Sequence, residues 1–220
     1  MPHHVTARAV LSDMDGTLID SLAVVEYLWG TFATEHGLDV QEVLETAHGR
    51  RTEETVAKFS PQGTDAAAVA LALETLGLEH TDGVIEVPGA TRFLGALEGS
   101  GAIAMVTSAT RDLATVRMMA AGVPVPTVAV YADEITHGKP HPEGYLTAAA
   151  KLGCDPREAI VLEDAEAGIE AGLAAGCQVI VVGGFESAVT QGLLRVPDLT
   201  TVTCTVTQDD DGPLVTLTID

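Results

Sequence analysis

The chain has 220 residues, 32 of them acidic and 11 basic, for a formal net charge of −21 at pH 7. A chain this anionic repels nucleic-acid phosphates and acidic membrane surfaces, which excludes both as general partners. Its hydrophobic content of 46% excludes a disordered acidic tail, and the length fits one compact domain or a domain with a modest insertion.

The first residues, MPHHVTARAVLSDMDG, offer no long apolar run before the acids begin. No signal peptide is expected, and His3-His4 reads as a disordered terminus. No stretch approaches the ~18 apolar residues that cross a bilayer. Cys154, Cys177 and Cys204 are odd in number and form no C-x-x-C pair, which reads as buried thiols in a reducing compartment. A soluble, cytoplasmic protein is the expectation.

In chain order, the first apolar run is RAVLS at 8–12. It is too short for a helix and suits a strand buried on both faces. Residues 21–86 then show helical periods and no convincing strand. Leu22, Val25, Leu28, Trp29 and Phe32 mark one apolar face, and 52–59 and 66–76 read as two more helices. This stretch reads as a helical insertion packed over a sheet, with Trp29 and Phe32 in its core rather than forming a stacking platform. Beyond it, strands at 102–107, 128–131, 159–162 and 178–182 alternate with helices at 90–98, 111–121, 143–152 and 165–175. Pro142 opens one of these helices and Gly122, Gly153 and Gly176 close three of them. The alternation predicts an α/β fold with a parallel sheet and helices on both faces. After position 200, Val202, Cys204 and Val206, then Val215, Leu217 and Ile219, alternate with polar residues on either side of Asp209–Gly212. That is an antiparallel hairpin with an acidic tip, covering a sheet edge or pairing with another subunit.

In an open parallel sheet, ligands bind beyond the carboxyl ends of the strands. Asp13-Met14-Asp15-Gly16-Thr17 follows the first strand, Ser108-Ala109-Thr110 the second, His137-Gly138-Lys139-Pro140 the third and Glu163-Asp164 the fourth. Several carboxylates, a hydroxyl and one of only three lysines (Lys58, Lys139, Lys151) thus converge. One acid of a closely spaced pair can attack as a nucleophile while the other transfers a proton, and a carboxylate nucleophile forms an aspartyl-phosphate. A carboxylate from another strand completes an oxygen site suited to Mg²⁺. Lysine and hydroxyl can offset charge on phosphoryl oxygens. The second D-x-D-G match, at 209–212, lies between alternating Thr-rich runs and reads as a solvated hairpin tip. His137 and His141 are four apart, but Gly138 and Pro140 lie between them and oppose the helix that would pair them on a metal.

DMDGTLIDS at 13–21, the serine of VTSAT, the lysine of HGKPHPEGY and the acidic pair of VLEDAEAGIEAG, in this order and strand context, resemble the haloacid-dehalogenase-like hydrolase superfamily. The likeness covers roughly residues 8–200. It implies a doubly wound, Rossmann-like parallel-sheet core (1–20 and 87–220) carrying the C-terminal hairpin, with a small inserted α-helical cap domain at 21–86. Carried over by motif, Asp13 is the nucleophile and Asp15 the general acid/base. Mg²⁺ is held by the Asp13 carboxylate, the Asp15 main-chain carbonyl and Asp164. Ser108 and Lys139 bind the phosphoryl group, Gly16 and Thr17 fix the turn, and Glu163 supports the metal shell or Lys139.

Within the superfamily, the presence of Asp15 argues against the dehalogenase and phosphonatase branches. Lys58, the cap lysine, sits in a helical VAKF context that suits a solvated side chain rather than a Schiff base. The cap string HGRRTEETV at 48–56 resembles that of small sugar- and polyol-phosphate phosphatases. Arg50 and Arg51 there contact substrate, Arg51 foremost, or pair with Glu53 and Glu54 one turn on. Arg111 and Asp112 border the pocket or cap their helix. The expected activity is Mg²⁺-dependent hydrolysis of a small phosphorylated metabolite. The alternatives are a β-phosphoglucomutase-like mutase and a regulatory protein on a dead scaffold, the latter opposed by the presence of all five motif residues.

Overall fold

The computed structural model describes residues 2–61 and 63–220. In chain order it has β1 (His3–Ala7), β2 (Ala9–Ser12), β3 (Ile19–Asp20), α1 (Leu22–His36), α2 (Val40–Ala47), α3 (Thr52–Phe59) and α4 (Ala66–Glu79). There follow β4 (Ile85–Glu86), α5 (Ala90–Leu97), β5 (Ile103–Val106), α6 (Arg111–Ala121), β6 (Val128–Val130) and α7 (Glu143–Leu152). The chain ends with β7 (Ala159–Glu163), α8 (Glu166–Ala174), β8 (Gln178–Val182), β9 (Leu194–Val196), β10 (Val202–Asp209) and β11 (Gly212–Ile219).

The centre is a six-stranded sheet in the order β6-β5-β2-β7-β8-β9, and each neighbouring pair runs parallel. Successive residues of its central strands enter opposite cores, as the pleat requires. Val10, Met105, Ile160 and Ile180 join one apolar cluster with α5 and α6 through Phe93, Leu94, Leu113 and Met118. Leu11, Ala104, Val161 and Val181 join another with α7 and α8 through Tyr145, Ala148 and Ile169. Both faces are covered, which is why these strands read as continuous apolar runs. The fold is the expected α/β sheet with helices on both faces.

Several elements go beyond the sequence reading. β1 begins at His3, so the expected disordered terminus is instead a strand, with the His4 ring 2.9 Å from the Thr218 hydroxyl. β9 extends the main sheet by an edge strand too short to signal its presence. β3 and β4 pair antiparallel at the two ends of the segment between them, so that segment does contain a strand at its boundary. α2 is also additional; its start is capped by Asp39, which accepts from the Glu42 N–H at 3.0 Å. The four helices between β3 and β4 share an apolar cluster containing Trp29, Phe32, Val43, Val56 and Leu73. Leu22, expected on the buried face, is half-exposed.

The hairpin forms with its turn at the acidic tip, where Arg8 binds Asp209 at 2.8 Å. It does not extend the main sheet. β11 pairs with β1 in a separate sheet, β1-β11-β10, whose Val202, Val215, Leu217 and Ile219 join the cluster under α5. Among the described residues, no helix is long and apolar enough to cross a membrane.

The three cysteines are free thiols. Burial pushes Cys177 up to about 12 and Cys204 up to about 11. Little thiolate therefore forms near pH 8. Iodoacetamide at that pH is expected to label both slowly in the folded protein and rapidly in urea, as read by peptide mass spectrometry.

Candidate active site

The sequence-predicted residues meet at the carboxyl edge of the main sheet. The ladder continues past the strands, with the Asp13 N–H donating to Leu162 O at 2.9 Å and the Thr107 N–H to Val130 O at 3.0 Å. Asp13, Ser108, Glu163 and Asp164 are thereby set by strand register rather than by loose loops.

Lys139 is the buried hub, only 4% exposed. Its ammonium donates to Asp13 Oδ1, to Glu163 Oε1 at 2.6 Å and to Val106 O at 3.3 Å, so its three donors are used. Glu163 is fully buried and fully engaged. Tyr145 Oη donates to Oε1 at 2.9 Å, and the N–H groups of Asp164 and Ala165 donate to Oε2 at 2.9 and 3.1 Å. Burial opposes the charge on Lys139, but Asp13 and Glu163 together hold it above the ordinary lysine value. Burial pushes Asp13 well above the usual carboxylate range against the pull of Lys139, and pushes Asp164 up likewise, with Glu163 adding to both.

The loop bearing Lys139 is itself anchored. The Thr136 N–H, donating at 2.8 Å, and the His137 ring hold the Glu143 carboxyl down at about 2. The His141 ring lies against His137 at a 35° tilt, with ring centroids 4.5 Å apart. The two histidines meet without a helix between them, because the turn from 137 to 142 brings them to Glu143.

Asp15 lies apart from this hub. In an extended strand it would share a face with Asp13, but the chain bends at Met14 and Gly16 N–H closes a turn onto Ile19 O at 2.7 Å. Asp15 therefore meets Ser21 Oγ at 2.5 Å and Arg117 Nη1, which is 3.1 Å from each carboxylate oxygen. Arg117 escaped the sequence reading, since it is one polar residue on a helix whose neighbours are apolar. Gly16 has φ +85°, and a Cβ there would overlap the Asp164 carboxylate. Thr17 Oγ1 is 3.4 Å from Asp164 Oδ1.

One carboxylate oxygen each from Asp13, Glu163 and Asp164 lie within 4.8 Å of one another. Glu163 has its oxygens committed to protein donors. Asp13 and Asp164 keep acceptor capacity, and burial disfavours their charge. An oxygen-only donor set carrying excess negative charge fits a hard divalent cation.

Asp13, Asp15, Ser108 and Asp164 line a cavity of about 250 Å³. Its far wall is Trp29 from α1 and His48, Gly49, Arg50 and Thr52 from the α2–α3 region. Ser108 Oγ crosses to that wall, donating to Gly49 O at 2.8 Å. Arg51 turns away from the cavity. It pairs with Glu54 and donates to Thr136 O at 3.1 Å, and Gly138 leaves room for this pair. Arg111 pairs with Glu134 and lies over the Tyr131 ring at 4.2 Å, away from the cavity lining. Lys58 is exposed and donates to Thr46 Oγ1 at 2.9 Å.

The family model for haloacid dehalogenase-like hydrolases matches residues 10–182, and the chain belongs to that family. It is 42% identical over 178 residues to hexitol phosphatase A of Escherichia coli, covering 80% of this chain and 82% of that one. It is 35% identical over 189 residues to glycerol-1-phosphate phosphohydrolase 2 of Saccharomyces cerevisiae, covering 81% and 76%. Among solved structures, a putative β-phosphoglucomutase from Bacteroides vulgatus superimposes with a TM-score of 0.72 at 29% identity, covering 88% and 86%.

The hub can be tested through Gly168 on α8. A Cβ there would overlap Glu163 Oε1. Gly168→Ala is expected to lower stability by about 3 kcal/mol in urea unfolding. Gly184→Ala, at an exposed site with open space, should be close to neutral.

Proposed function

We propose that the protein is a phosphatase that hydrolyses a small phosphate monoester, most simply a sugar or polyol phosphate. The observation that carries this reading is that Asp13 and Asp15 border one cavity while their side chains sit in different surroundings, Asp13 against Lys139 and Asp15 against Arg117 and Ser21. The similarity to the hexitol and glycerol-1-phosphate phosphatases supports a phosphorylated polyol as the substrate class.

In this reading a carboxylate oxygen of Asp13 attacks phosphorus and the ester P–O bond breaks. Asp15, protonated for this step, gives its proton to the departing alkoxide. Water then attacks the aspartyl-phosphate, Asp15 accepts its proton, and the acyl-phosphate P–O bond breaks to release inorganic phosphate and the Asp13 carboxylate. Ser108 binds a phosphoryl oxygen, and Lys139 contributes positive charge while fixing Asp13. Asp13, Asp164 and the main-chain carbonyl of Asp15 would hold Mg²⁺, with Gly16 and Thr17 shaping the turn and Glu163 supporting from behind. When bound, the ion supplies charge that offsets the carboxylates and the phosphoryl oxygens.

Residues 21–86 act as a cap over the core formed by 1–20 and 87–220. Cap closure would exclude water and select the substrate. Arg50, half-buried on the cavity wall, takes the substrate-side role between the two arginines, and Arg51 braces the cap against the Lys139 loop. A mutase is the second reading, favoured by the β-phosphoglucomutase neighbour. It would return the phosphoryl group to a sugar.

A phosphate-release screen over polyol, sugar and nucleotide monophosphates with Mg²⁺ tests the proposal. Stoichiometric phosphate from a polyol or sugar phosphate is expected, and isomerised sugar phosphate without release would favour the mutase. Asp13→Asn should abolish release while leaving the circular dichroism spectrum unchanged; near-normal turnover would sink the mechanism. Arg50→Ala should raise KM about tenfold with little change in kcat.

A further inference from the structure

We propose that Arg117 is a positioning residue for Asp15, fixing the carboxyl so that Oδ2 is the oxygen that exchanges the proton. This inference rests on the phosphatase reading above.

Arg117 projects from α6, whose Leu113, Ala114 and Met118 are buried in the core beneath the sheet. The residue is 6% exposed, so its charge cannot retreat into solvent. Among the described residues, Asp15 is the acid at ion-pair distance from it, and its Nε has no hydrogen-bond partner. A buried guanidinium with an unused donor is costly to keep unless a carboxylate repays it. In a chain of net charge −21 with 11 cations, one is buried against the carboxylate given the acid/base role.

The contacts divide the two oxygens of Asp15. Among the described residues, Oδ1 accepts from Ser21 Oγ at 2.5 Å and from Arg117 Nη1 at 3.1 Å, whereas Oδ2 accepts from Arg117 alone, at 3.1 Å. Oδ2 thus keeps the freer lone pair, while Ser21 and Arg117 together prevent rotation of the carboxyl. Other charged groups surround the pair. Asp13, Asp164 and Asp20, the last residue of β3, line the same cavity, and Glu74 of α4 shares a smaller cleft with Arg117. A simple structural brace between α6 and the 13–21 turn would use the same contacts, so the test must separate a proton-transfer defect from a loss of stability.

The reaction itself supplies that separation. An alkyl phosphate needs a proton on its leaving oxygen, whereas p-nitrophenolate leaves without one. Arg117→Met and Arg117→Lys would be compared with Asp15→Asn and the unaltered protein. Glycerol phosphate turnover and the pre-steady-state burst of p-nitrophenolate would both be recorded, with thermal unfolding as the control for folding. For Arg117→Met, a fall in glycerol phosphate kcat of about 100-fold with KM little changed is expected, with the burst rate retained. Arg117→Lys should recover part of the loss.

Three results would overturn the proposal. In the first, Asp15→Asn shows the split but Arg117→Met turns over glycerol phosphate normally, so that the phosphatase reading stands without a positioning role. In the second, both arginine variants lose the burst and the turnover equally, as a brace would. In the third, Asp15→Asn itself keeps full glycerol phosphate turnover, which also removes the acid/base assignment. If Arg117→Met melts early, the leaving-group split in Arg117→Lys decides alone.

Discussion

The interior ammonium of Lys139 organises the carboxyl edge of the sheet. A charge this deeply buried is tolerated only with carboxylates beside it and further hydrogen bonds behind them. Asp13 at the end of β2 and Glu163 at the end of β7 supply the carboxylates. Tyr145 and the backbone after β7 satisfy what remains of Glu163. Strands β2 and β7 are adjacent and parallel, so their ends present both acids to one point. The surrounding elements must yield space to them. α8 carries glycine at 168, where a side chain would strike Glu163, and the first turn carries glycine at 16, where one would strike Asp164.

The same edge keeps two aspartates, separated by a single residue, in different electrostatic surroundings. Asp13 belongs to the lysine hub, and the bend at Met14 delivers Asp15 to Arg117 and Ser21. Both groups are carboxylates, so what separates them is their surroundings rather than their side-chain chemistry. Interactions of this kind act at contact range and are strengthened by burial, so the overall charge of −21 does not govern the cavity. Most of the acids lie outside it, where they solvate the surface.

The helices between β3 and β4 contribute a wall and a brace. The wall is the apolar ring of Trp29 with His48, Gly49, Arg50 and Thr52. The brace is Arg51, whose guanidinium grips Glu54 and the carbonyls leading to Lys139. Two neighbouring arginines therefore face different ways, one toward the cavity and one toward the loop that holds the lysine. The C-terminal hairpin is tied in more simply. Because β1 runs directly into β2, one strand segment joins the hairpin sheet to the main sheet.

The amino-acid sequence by itself determined the strand–helix alternation, the hairpin and the residues that gather beyond the strand ends. Strands buried on both faces must be unbroken apolar runs, and in a parallel sheet the next few residues share one edge. Asp13, Ser108, Lys139, Glu163 and Asp164 were legible for that reason. The tertiary structure decided what depends on contacts between distant segments. β1 is polar in sequence and is held by β11, while β9 has three residues and is held by β8. Arg117 is marked only by its pairing with Asp15, more than a hundred positions away. The separate fates of Arg50 and Arg51 follow from which of them the loop before Lys139 can reach. Such pairings carry no local period or spacing, because nothing in the neighbouring sequence has to change to make them.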